Sequence, residues 1–150
     1  MNDTVARNTD RIVVGVDGSD ISRKALRWAV TEAQLRHLPL EVVHVWQMIY
    51  PVEPMTGVGA IQFSPQQLAT EAQGLLDATV AETVPADAGI ELRTVLIEGP
   101  AGRTLVEHSK GADLLVVGRH GHHGLLAKLL GSVAEYVVHH ADGPIVTIPA

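Results

Sequence analysis

The sequence contains no cysteine, which removes disulfide frameworks, thiolate metal sites and cysteine nucleophiles from consideration. Aromatic residues are also scarce, with one Phe, two Tyr and two Trp among 150 residues. Because 46% of the residues are nevertheless hydrophobic, we expect a core built from aliphatic side chains and alanine. Such a composition is typical of helices packed on a sheet rich in Val, Ile and Leu.

Long apolar runs and an excess of basic residues are absent as well. No segment approaches the roughly twenty apolar residues needed to cross a bilayer, and residues 1–11 do not resemble a signal peptide. We therefore expect a cytoplasmic protein that does not bind membranes. The formal net charge of −6 argues against a nucleic-acid binder, which usually carries a basic face. A single anionic small ligand at a local site remains compatible with this charge.

Short apolar runs alternate with amphipathic segments along the whole chain. This alternation predicts right-handed crossovers and a parallel sheet covered on both faces, in one doubly wound α/β domain over residues 1–150. The predicted strands are residues 11–16, 40–46, 90–97, 113–117 and 144–149. The predicted helices lie near residues 19–37, 64–84, 101–111 and 132–140, with room for a further helical turn at 125–130.

Two local features stand out between these segments. Ser64, Pro65 and Gln67 supply a capping hydroxyl, a proline at the first helical position and a glutamine three residues after the cap. This pattern predicts a helix that begins at Ser64. Residues 47–63 form a long connection with no clear pattern, and connections of that length are usually functional or mobile.

Ligands of doubly wound sheets bind outside the carboxyl ends of the strands, where the strand order reverses. The loop after the first predicted strand begins Asp17-Gly18-Ser19, and the loop after the fourth spans residues 118–131. Glycines in the second loop would let backbone amides approach phosphate oxygens. The helix that begins after this loop, at Gly131-Ser132-Val133, would present further amides and its positive dipole end to an anion.

Charge favours the same interpretation. Residues 118–132 contain Arg119, Lys128 and three histidines but no Asp or Glu, although the chain as a whole is acidic. The pattern therefore predicts a local anion site. The alternative is that the glycines are ordinary turn residues and that Asp17, which precedes a glycine at a strand end, is a turn former or helix cap.

At this point the sequence resembles a known family. The spacing Gly-x2-Gly-x9-Gly-Ser is similar to the nucleotide motif of ATP-binding universal stress proteins, and it falls at Gly118, Gly121, Gly131 and Ser132. The resemblance covers nearly the whole chain. It includes V-G-V-D-G-S at residues 14–19, V-H-V at 43–45, E-G-P at 98–100, V-V-G-R-H-G at 116–121 and P-I-V-T-I-P at 144–149.

The resemblance implies a fold and a site. The fold would be a single three-layer, Rossmann-like domain of the adenine nucleotide alpha hydrolase-like type, with a five-stranded parallel sheet in the order 3-2-1-4-5. ATP would be the ligand, with Mg²⁺ or Mn²⁺ bound through its phosphates. Asp17 would lie beside the ribose, and Val45 would offer its backbone to adenine. The residues expected around the phosphates are Gly118, Gly121, Gly131, Ser132 and Val133.

The histidines invite a metal site, because imidazole is a common transition-metal ligand. We favour loop histidines at the mouth of a phosphate site for His120, His122 and His123, since the segment contains no carboxylate or cysteine. His44 is expected to pack within its strand. His108, His139 and His140 fall near helix ends, where histidine suits the helix dipole. No metal-ligating residue is therefore predicted.

Catalysis is not indicated by any motif. The sequence lacks the Gly-x-Ser-x-Gly elbow of hydrolases, the Walker pattern and Gly-x-Gly-x-x-Gly. We predict a regulatory or sensor protein in a stress response, with no catalytic residues and at most slow ATP hydrolysis. The alternatives are an adenylating or slowly hydrolysing enzyme of the same architecture, and a stress protein that binds no nucleotide.

The last predicted strand indicates an assembly. In the order 3-2-1-4-5 this strand lies at the sheet edge, and no charged residue lies between Gly143 and Ala150. Exposed edges of this kind pair with another chain unless they are protected. We expect a homodimer joined through Ile145–Ile148, with a monomer whose edge is covered by residues 1–10 as the alternative.

Overall fold

The computed structural model describes residues 10–48, 64–120 and 129–150, and within them strands and helices alternate as predicted. The five strands form one parallel sheet in the order β3-β2-β1-β4-β5, which confirms the expected fold class. The predicted helical turn at 125–130 lies mostly outside the described residues. In chain order the elements are β1 Ile12–Gly15, α1 Asp20–Arg36, β2 Leu40–Trp46, α2 Pro65–Thr83, β3 Leu92–Glu98, α3 Ala101–His108, β4 Leu114–Gly118, α4 Ser132–His140 and β5 Ile145–Ile148.

Strand β3 differs from its predicted bounds at both ends. It begins at Leu92 rather than at residue 90, because its register with β2 starts at the pair of Leu40 and Leu92. Ile90 still packs against the core, although it precedes the ladder. The strand extends to Glu98, which pairs with Trp46. The apolar pattern thus located the strand but not its first hydrogen-bonded pair.

The core consists of two layers, one on each face of the sheet. Helices α1 and α2 cover one face, where Leu26 and Leu76 are fully buried. Helices α3 and α4 cover the other face, where Leu105 and Val137 pack on β1, β2 and β4. Because these strands are buried on both faces, they are apolar without alternation. The aliphatic composition therefore reflects a sheet with two covered faces.

The helix starts follow the local sequence. Ser19 caps α1, where its Oγ accepts from the Ser22 amide at 3.2 Å. Ser64 and Gln67 form the predicted capping box of α2, with bonds of 2.8 and 3.2 Å. In the part of the chain that is described, no helix combines the length and apolar character that a membrane crossing requires.

Candidate functional site

Three predicted site residues lie at the carboxyl ends of the central strands. Asp17 follows β1, Val45 lies near the end of β2, and Gly118 ends β4. Strand β1 pairs in parallel with both β2 and β4, so their carboxyl ends meet where the strand order reverses. The structure therefore confirms the predicted switch point, because the strand order reverses between β1 and β4.

The start of α4 joins this edge through the backbone of Arg119. The Gly131 amide donates to the Arg119 carbonyl at 2.7 Å, and the Arg119 amide donates to the Ile148 carbonyl at 2.7 Å. These two bonds close the base of the loop between Gly118 and α4, and they place Ser132 and Val133 close to the end of β4. Gly121 lies outside the described residues, as do His122 and His123.

Strand β1 leaves the sheet before β2 does, so the β1–β2 register ends two residues before Val45. The β1–β2 register ends at Gly15 and Val43, with one further bond of 2.9 Å from the Val16 amide to the Val43 carbonyl. Alternate residues of a strand direct their backbone groups to the same side. Val45 therefore points towards β1, as Val43 does, but beyond the last ladder bond. The Trp46 carbonyl points the other way and accepts from Gly99 at 2.9 Å.

His44 fixes the end of β1. Its Nδ1 donates to the Val16 carbonyl at 2.8 Å, and the residue is buried. Because a carbonyl only accepts, this bond assigns the proton of the neutral ring to Nδ1. The prediction that His44 packs within its strand is confirmed. Its bond to the residue before Asp17 was not predicted, because periodicity carries no information about hydrogen-bond partners.

Asp17 forms a compact turn with the residues that follow it. Its Oδ1 accepts from the Ser19 amide at 3.0 Å and from the Ser19 hydroxyl at 2.5 Å. The Asp17 amide donates to Ser22 Oγ at 3.3 Å. The turn-forming alternative for Asp17 is thus confirmed. The ribose contact remains a prediction.

Gly18 is held by groups outside the turn. Its φ of 80° is a conformation that favours glycine. A Cβ at this position would lie 3.1 Å from Leu75 Cδ1, so the loop packs directly on α2. Arg23 Nη1 donates to the Gly18 carbonyl at 2.5 Å. The conformation of this loop therefore depends on both α1 and α2.

Close packing around Gly118 requires glycine at this position. A Cβ at this position would lie 2.7 Å from Ile21 Cγ2 and 3.2 Å from the His120 carbonyl oxygen. The first glycine of the motif thus allows β4 to approach α1. This requirement is independent of the predicted contact between Gly118 and a phosphate, which remains a prediction.

The first turn of α4 presents backbone amides without a side-chain cap. Gly131 is the N-cap residue, with φ −68° and ψ 164°, and no side chain caps the helix there. Ser132 is exposed, and Val133 packs partly against the core. The unpaired amides of a helix start favour an anion. Arg119, whose carbonyl accepts from Gly131, adds positive charge to this region.

Arg119 Nε and His120 Nε2 lie near the end of β4. Both atoms are buried, and neither has a hydrogen-bond partner among the described residues. His120 is only 7% exposed, and its predicted place at the mouth of a phosphate site remains a prediction. Within the described ranges no group of three or more His, Cys, Asp or Glu side chains could hold a metal ion.

A cluster around Glu41 lies near the amino ends of the strands, and it was not predicted from the sequence. Glu41 Oε2 accepts from Arg11 Nε at 3.1 Å and from His108 Nε2 at 2.9 Å. Arg11 Nη2 also donates to the His108 carbonyl at 2.8 Å. The only signal in the sequence was a carboxylate inside a strand that is apolar apart from His44. His108 therefore has a specific partner in addition to its position in the last turn of α3.

The cluster controls the charge of Glu41. Burial opposes ionisation, but the hydrogen bond from His108 and the charge and hydrogen bond of Arg11 outweigh it, so the pKa of Glu41 is lowered from its ordinary value of 4.5. The ionised carboxylate ties β2 to the residue before β1 and to the end of α3. This arrangement is structural and lies away from the carboxyl ends of the strands.

Comparisons with known proteins agree with this geometry. The model of the universal stress protein family matches residues 8–149. A universal stress protein of Mycobacterium tuberculosis is 38% identical over 138 residues, which are 90% of this chain and 44% of that protein. One of Methanocaldococcus jannaschii is 32% identical over 143 residues, 92% of this chain and 81% of that protein.

A solved structure is similar over almost the whole chain. The universal stress protein from Archaeoglobus fulgidus in complex with dAMP is 26% identical and has a TM-score of 0.65. The similarity covers 92% of this chain and 96% of the other. Against the mycobacterial relatives, by contrast, this chain spans about half of their length.

Proposed function

The chain belongs to the universal stress protein family, and we propose that it is an ATP-binding member with a regulatory or sensor role in a stress response. The observation that carries the proposal is the position of Val45, two residues beyond the end of the β1–β2 register and next to the strand after which Asp17 begins a loop. The dAMP complex of the Archaeoglobus fulgidus relative supports an adenine nucleotide as the ligand. We also propose that the protein acts in the cytoplasm.

Val45 supplies the contact that would select adenine. Its N–H and C=O point to the same side of β2, so they form an adjacent donor and acceptor. The edge of adenine carries a ring-nitrogen acceptor beside an amino donor, which is the complementary pair. Backbone recognition of this kind does not depend on the Val45 side chain, which packs against the core between the sheet and α3.

The phosphates would extend from the adenine site at Val45 towards α4. The amides of Ser132 and Val133 begin a helix without a side-chain cap, and the carbonyl of the basic residue Arg119 accepts from Gly131 just before them. Gly118, Gly121 and Gly131 complete the proposed phosphate-binding segment, and Asp17 would accept a hydrogen bond from the ribose. The dipole of α4 and the absence of Asp and Glu from residues 118–132 favour an anion there.

A divalent cation would accompany the phosphates. The residues that the structure describes include no cluster of three or more metal-ligating side chains. Mg²⁺ is usually bound through substrate phosphates and water with few protein carboxylates. We therefore propose Mg²⁺ or Mn²⁺ held through the nucleotide, where it would neutralise phosphate charge.

Binding without appreciable turnover is the proposed activity. The motifs that place a lysine on the β- and γ-phosphates are absent from the sequence. An adenylating enzyme would need a second substrate pocket beside the nucleotide. The formation of AMP or ADP during incubation with labelled ATP would favour the enzymatic alternative.

The proposal is tested by the fluorescence of Trp46, the neighbour of Val45. Trp28→Phe removes the other tryptophan of the chain and leaves Trp46 as the reporter. We expect saturable quenching by ATP, a matching calorimetric affinity, and weaker binding of GTP, whose base carries the opposite edge pattern. Mass spectrometry of molecules released from the purified protein would identify the bound nucleotide. If ATP, ADP and cyclic AMP give neither heat nor quenching, the proposal is wrong.

A further inference from the structure

Arg23 joins the loop of residues 17–19 to helix α2. Its Nη1 donates to the Gly18 carbonyl at 2.5 Å, and its Nη2 donates to Glu82 Oε2 at 3.0 Å. Arg23 lies in the first turn of α1, and Glu82 lies in the last turn of α2, 59 residues away in the sequence. One guanidinium group therefore connects three separate parts of the fold.

We propose that Arg23 is a positioning residue of the nucleotide site, and this inference rests on the proposed function. Arg23 holds Gly18 and, through it, the adjacent carboxylate of Asp17 in the conformation that receives the ligand. Glu82 orients the guanidinium from the opposite side. Arg23 need not touch the nucleotide, because it acts through the backbone of the loop.

The surroundings of Arg23 favour a fixed guanidinium. Its side chain is 27% exposed, and its Nε is buried without a hydrogen-bond partner among the described residues. Two of its nitrogen atoms are thus committed to Gly18 and Glu82 while the third is removed from water. Leu75 of α2 packs against Gly18 on the same side, so apolar and polar contacts from α2 hold the loop together.

The two bonds of Arg23 contribute unequally. Glu82 is 61% exposed, and exposed ion pairs are weak because water and salt screen them. The bond to Gly18 acts directly on the loop. Because a loosened loop lowers affinity only by the loss of its binding-competent fraction, we expect Arg23→Gln to weaken ATP binding about three- to tenfold, and Glu82→Gln about twofold or less.

Amide exchange in the free protein tests the inference without a ligand. We expect Arg23→Gln to accelerate exchange of the Ser19 and Ser22 amides, which are bonded within the loop, while the amides of β2 keep their protection. The matched control is Arg36→Gln, which removes an Arg–Glu pair on the same helix at a distance from the loop. This control should change neither loop exchange nor ATP affinity.

A charge exchange separates positioning of the loop from attachment of the two helices. The double variant Arg23→Glu with Glu82→Arg can restore the ion pair between α1 and α2, but the carboxylate that replaces the guanidinium on α1 cannot donate to the Gly18 carbonyl. We expect the loop amides of this variant to exchange as fast as those of Arg23→Gln, and its ATP affinity to stay low. Arg23→Lys, which keeps a positively charged donor on a side chain of nearly the same length, should bind ATP with an affinity between those of wild type and Arg23→Gln.

The outcomes distinguish this inference from the proposed function. A wild-type protein that binds no nucleotide overturns the proposed function. Loop amides that exchange in Arg23→Gln as in wild type overturn the positioning role, whatever the chain binds. Recovery of slow exchange in the charge-exchanged variant also overturns it, because attachment of the helices would then suffice. Reduced affinity with unchanged exchange would instead mean direct contact with the ligand.

Discussion

At the scale of single residues, the carboxylates of Glu41 and Asp17 lie at opposite ends of the strands and have different expected roles. Glu41 is ionised and buried near the amino ends of the strands, where Arg11 and His108 donate hydrogen bonds to its Oε2. Asp17 lies at the carboxyl edge, beside the proposed ligand. The two carboxylates therefore lead to different expectations, one for stability and one for binding.

Stability should depend on the ionisation of Glu41. Because the pKa of Glu41 is lowered in the folded protein, its contribution is present above the ordinary pKa of 4.5 and is lost as the pH falls through the folded value. We expect Glu41→Gln to cost about 1–3 kcal/mol of unfolding free energy near neutral pH, since Arg11 loses its charged partner. Urea unfolding at several pH values measures this cost.

The control for Glu41 is Glu107→Gln on α3. Lys110 lowers the pKa of Glu107 through a hydrogen bond and its charge, but this pair is exposed at the surface. We expect little change in stability from Glu107→Gln at any pH, because exposed pairs contribute little. A Glu41→Gln protein that loses stability with acid as steeply as wild type would contradict the assignment to Glu41.

Asp17 should affect nucleotides but not the free base. We expect Asp17→Ala to weaken ATP binding by about 1.5–3 kcal/mol, the net contribution of a charged hydrogen bond, while adenine binds as before. Asp17→Asn is the control for the turn, because its amide oxygen can still accept from Ser19 while its NH₂ group cannot accept from ribose. Calorimetry with both ligands is the measurement. Equal losses for adenine and ATP would assign Asp17 to loop support alone.

At the scale of secondary structure elements, the helix starts divide according to their caps. Ser19 and Ser64 satisfy amides of α1 and α2, whereas α3 and α4 begin after Pro100 and Gly131 with no side-chain cap, and only α4 follows the glycine loop after β4. A hydroxyl cap stabilises a helix start by about 1 kcal/mol and occupies the amides that an anion would otherwise bind. The start of α4 is therefore suited to a ligand rather than to a side chain.

Gly131→Leu should abolish ATP binding and leave the fold intact. The φ of −68° at Gly131 is accessible to leucine, so the cost in stability should stay near 1 kcal/mol. The added side chain would fill the volume where phosphate approaches the amides. Calorimetry and thermal unfolding measure the two effects. A folded Gly131→Leu protein with unchanged affinity would contradict the site.

Gly118→Ala provides the contrasting case at the other end of the loop. Its Cβ would meet Ile21 Cγ2 at 2.7 Å and the His120 carbonyl oxygen at 3.2 Å, so the Ile21 side chain or the backbone of β4 or α1 must shift. We expect a loss of stability of about 1–3 kcal/mol, as for other overpacked sites. Thermal unfolding distinguishes the roles of the two glycines. Substitution of Gly118 should lower stability because of close packing, whereas the backbone conformation at Gly131 does not require glycine.

At the scale of the whole molecule, the sheet has edges at β3 and β5. Pro144 and Ile148 direct their carbonyls to β4, where Leu115 and Arg119 donate to them. By alternation, Thr147 directs its backbone groups away from β4, on the side where the described residues include no further strand. This position of β5 in the sheet is the basis on which we propose the homodimer joined through Ile145–Ile148 that the sequence predicted.

The dimer is best tested at Thr147. Replacement of Val146 by lysine would add charge to the edge, but Val146 packs against the core and the variant would lose that contact. Thr147→Pro removes an outward N–H and leaves the pairing with β4 in place, and Thr147→Val is its control. We expect wild type and Thr147→Val to be dimers in sedimentation equilibrium and Thr147→Pro to dissociate more readily. A monomeric wild type, or a Thr147→Pro dimer of unchanged affinity, would rule this interface out.

The sequence by itself determined the elements and their approximate bounds. Apolar runs marked the strands, Ser19 and Ser64 marked helix starts, and the two loops after β1 and β4 marked the reversal of strand order. These signals are local, because caps and periodicity act within a few residues. For the same reason, the first residue of β3 was misplaced, since the register with β2 decides it.

Only the tertiary structure decided which side chains meet across the fold. Arg11 and His108 are 97 residues apart in the sequence, and Arg23 and Glu82 are 59 apart, yet each pair is joined by a hydrogen bond. The direction of the Val45 backbone likewise follows from the residue at which β1 leaves the sheet. No local signal encodes such relations, because they arise only when the strands pair and the helices pack on them.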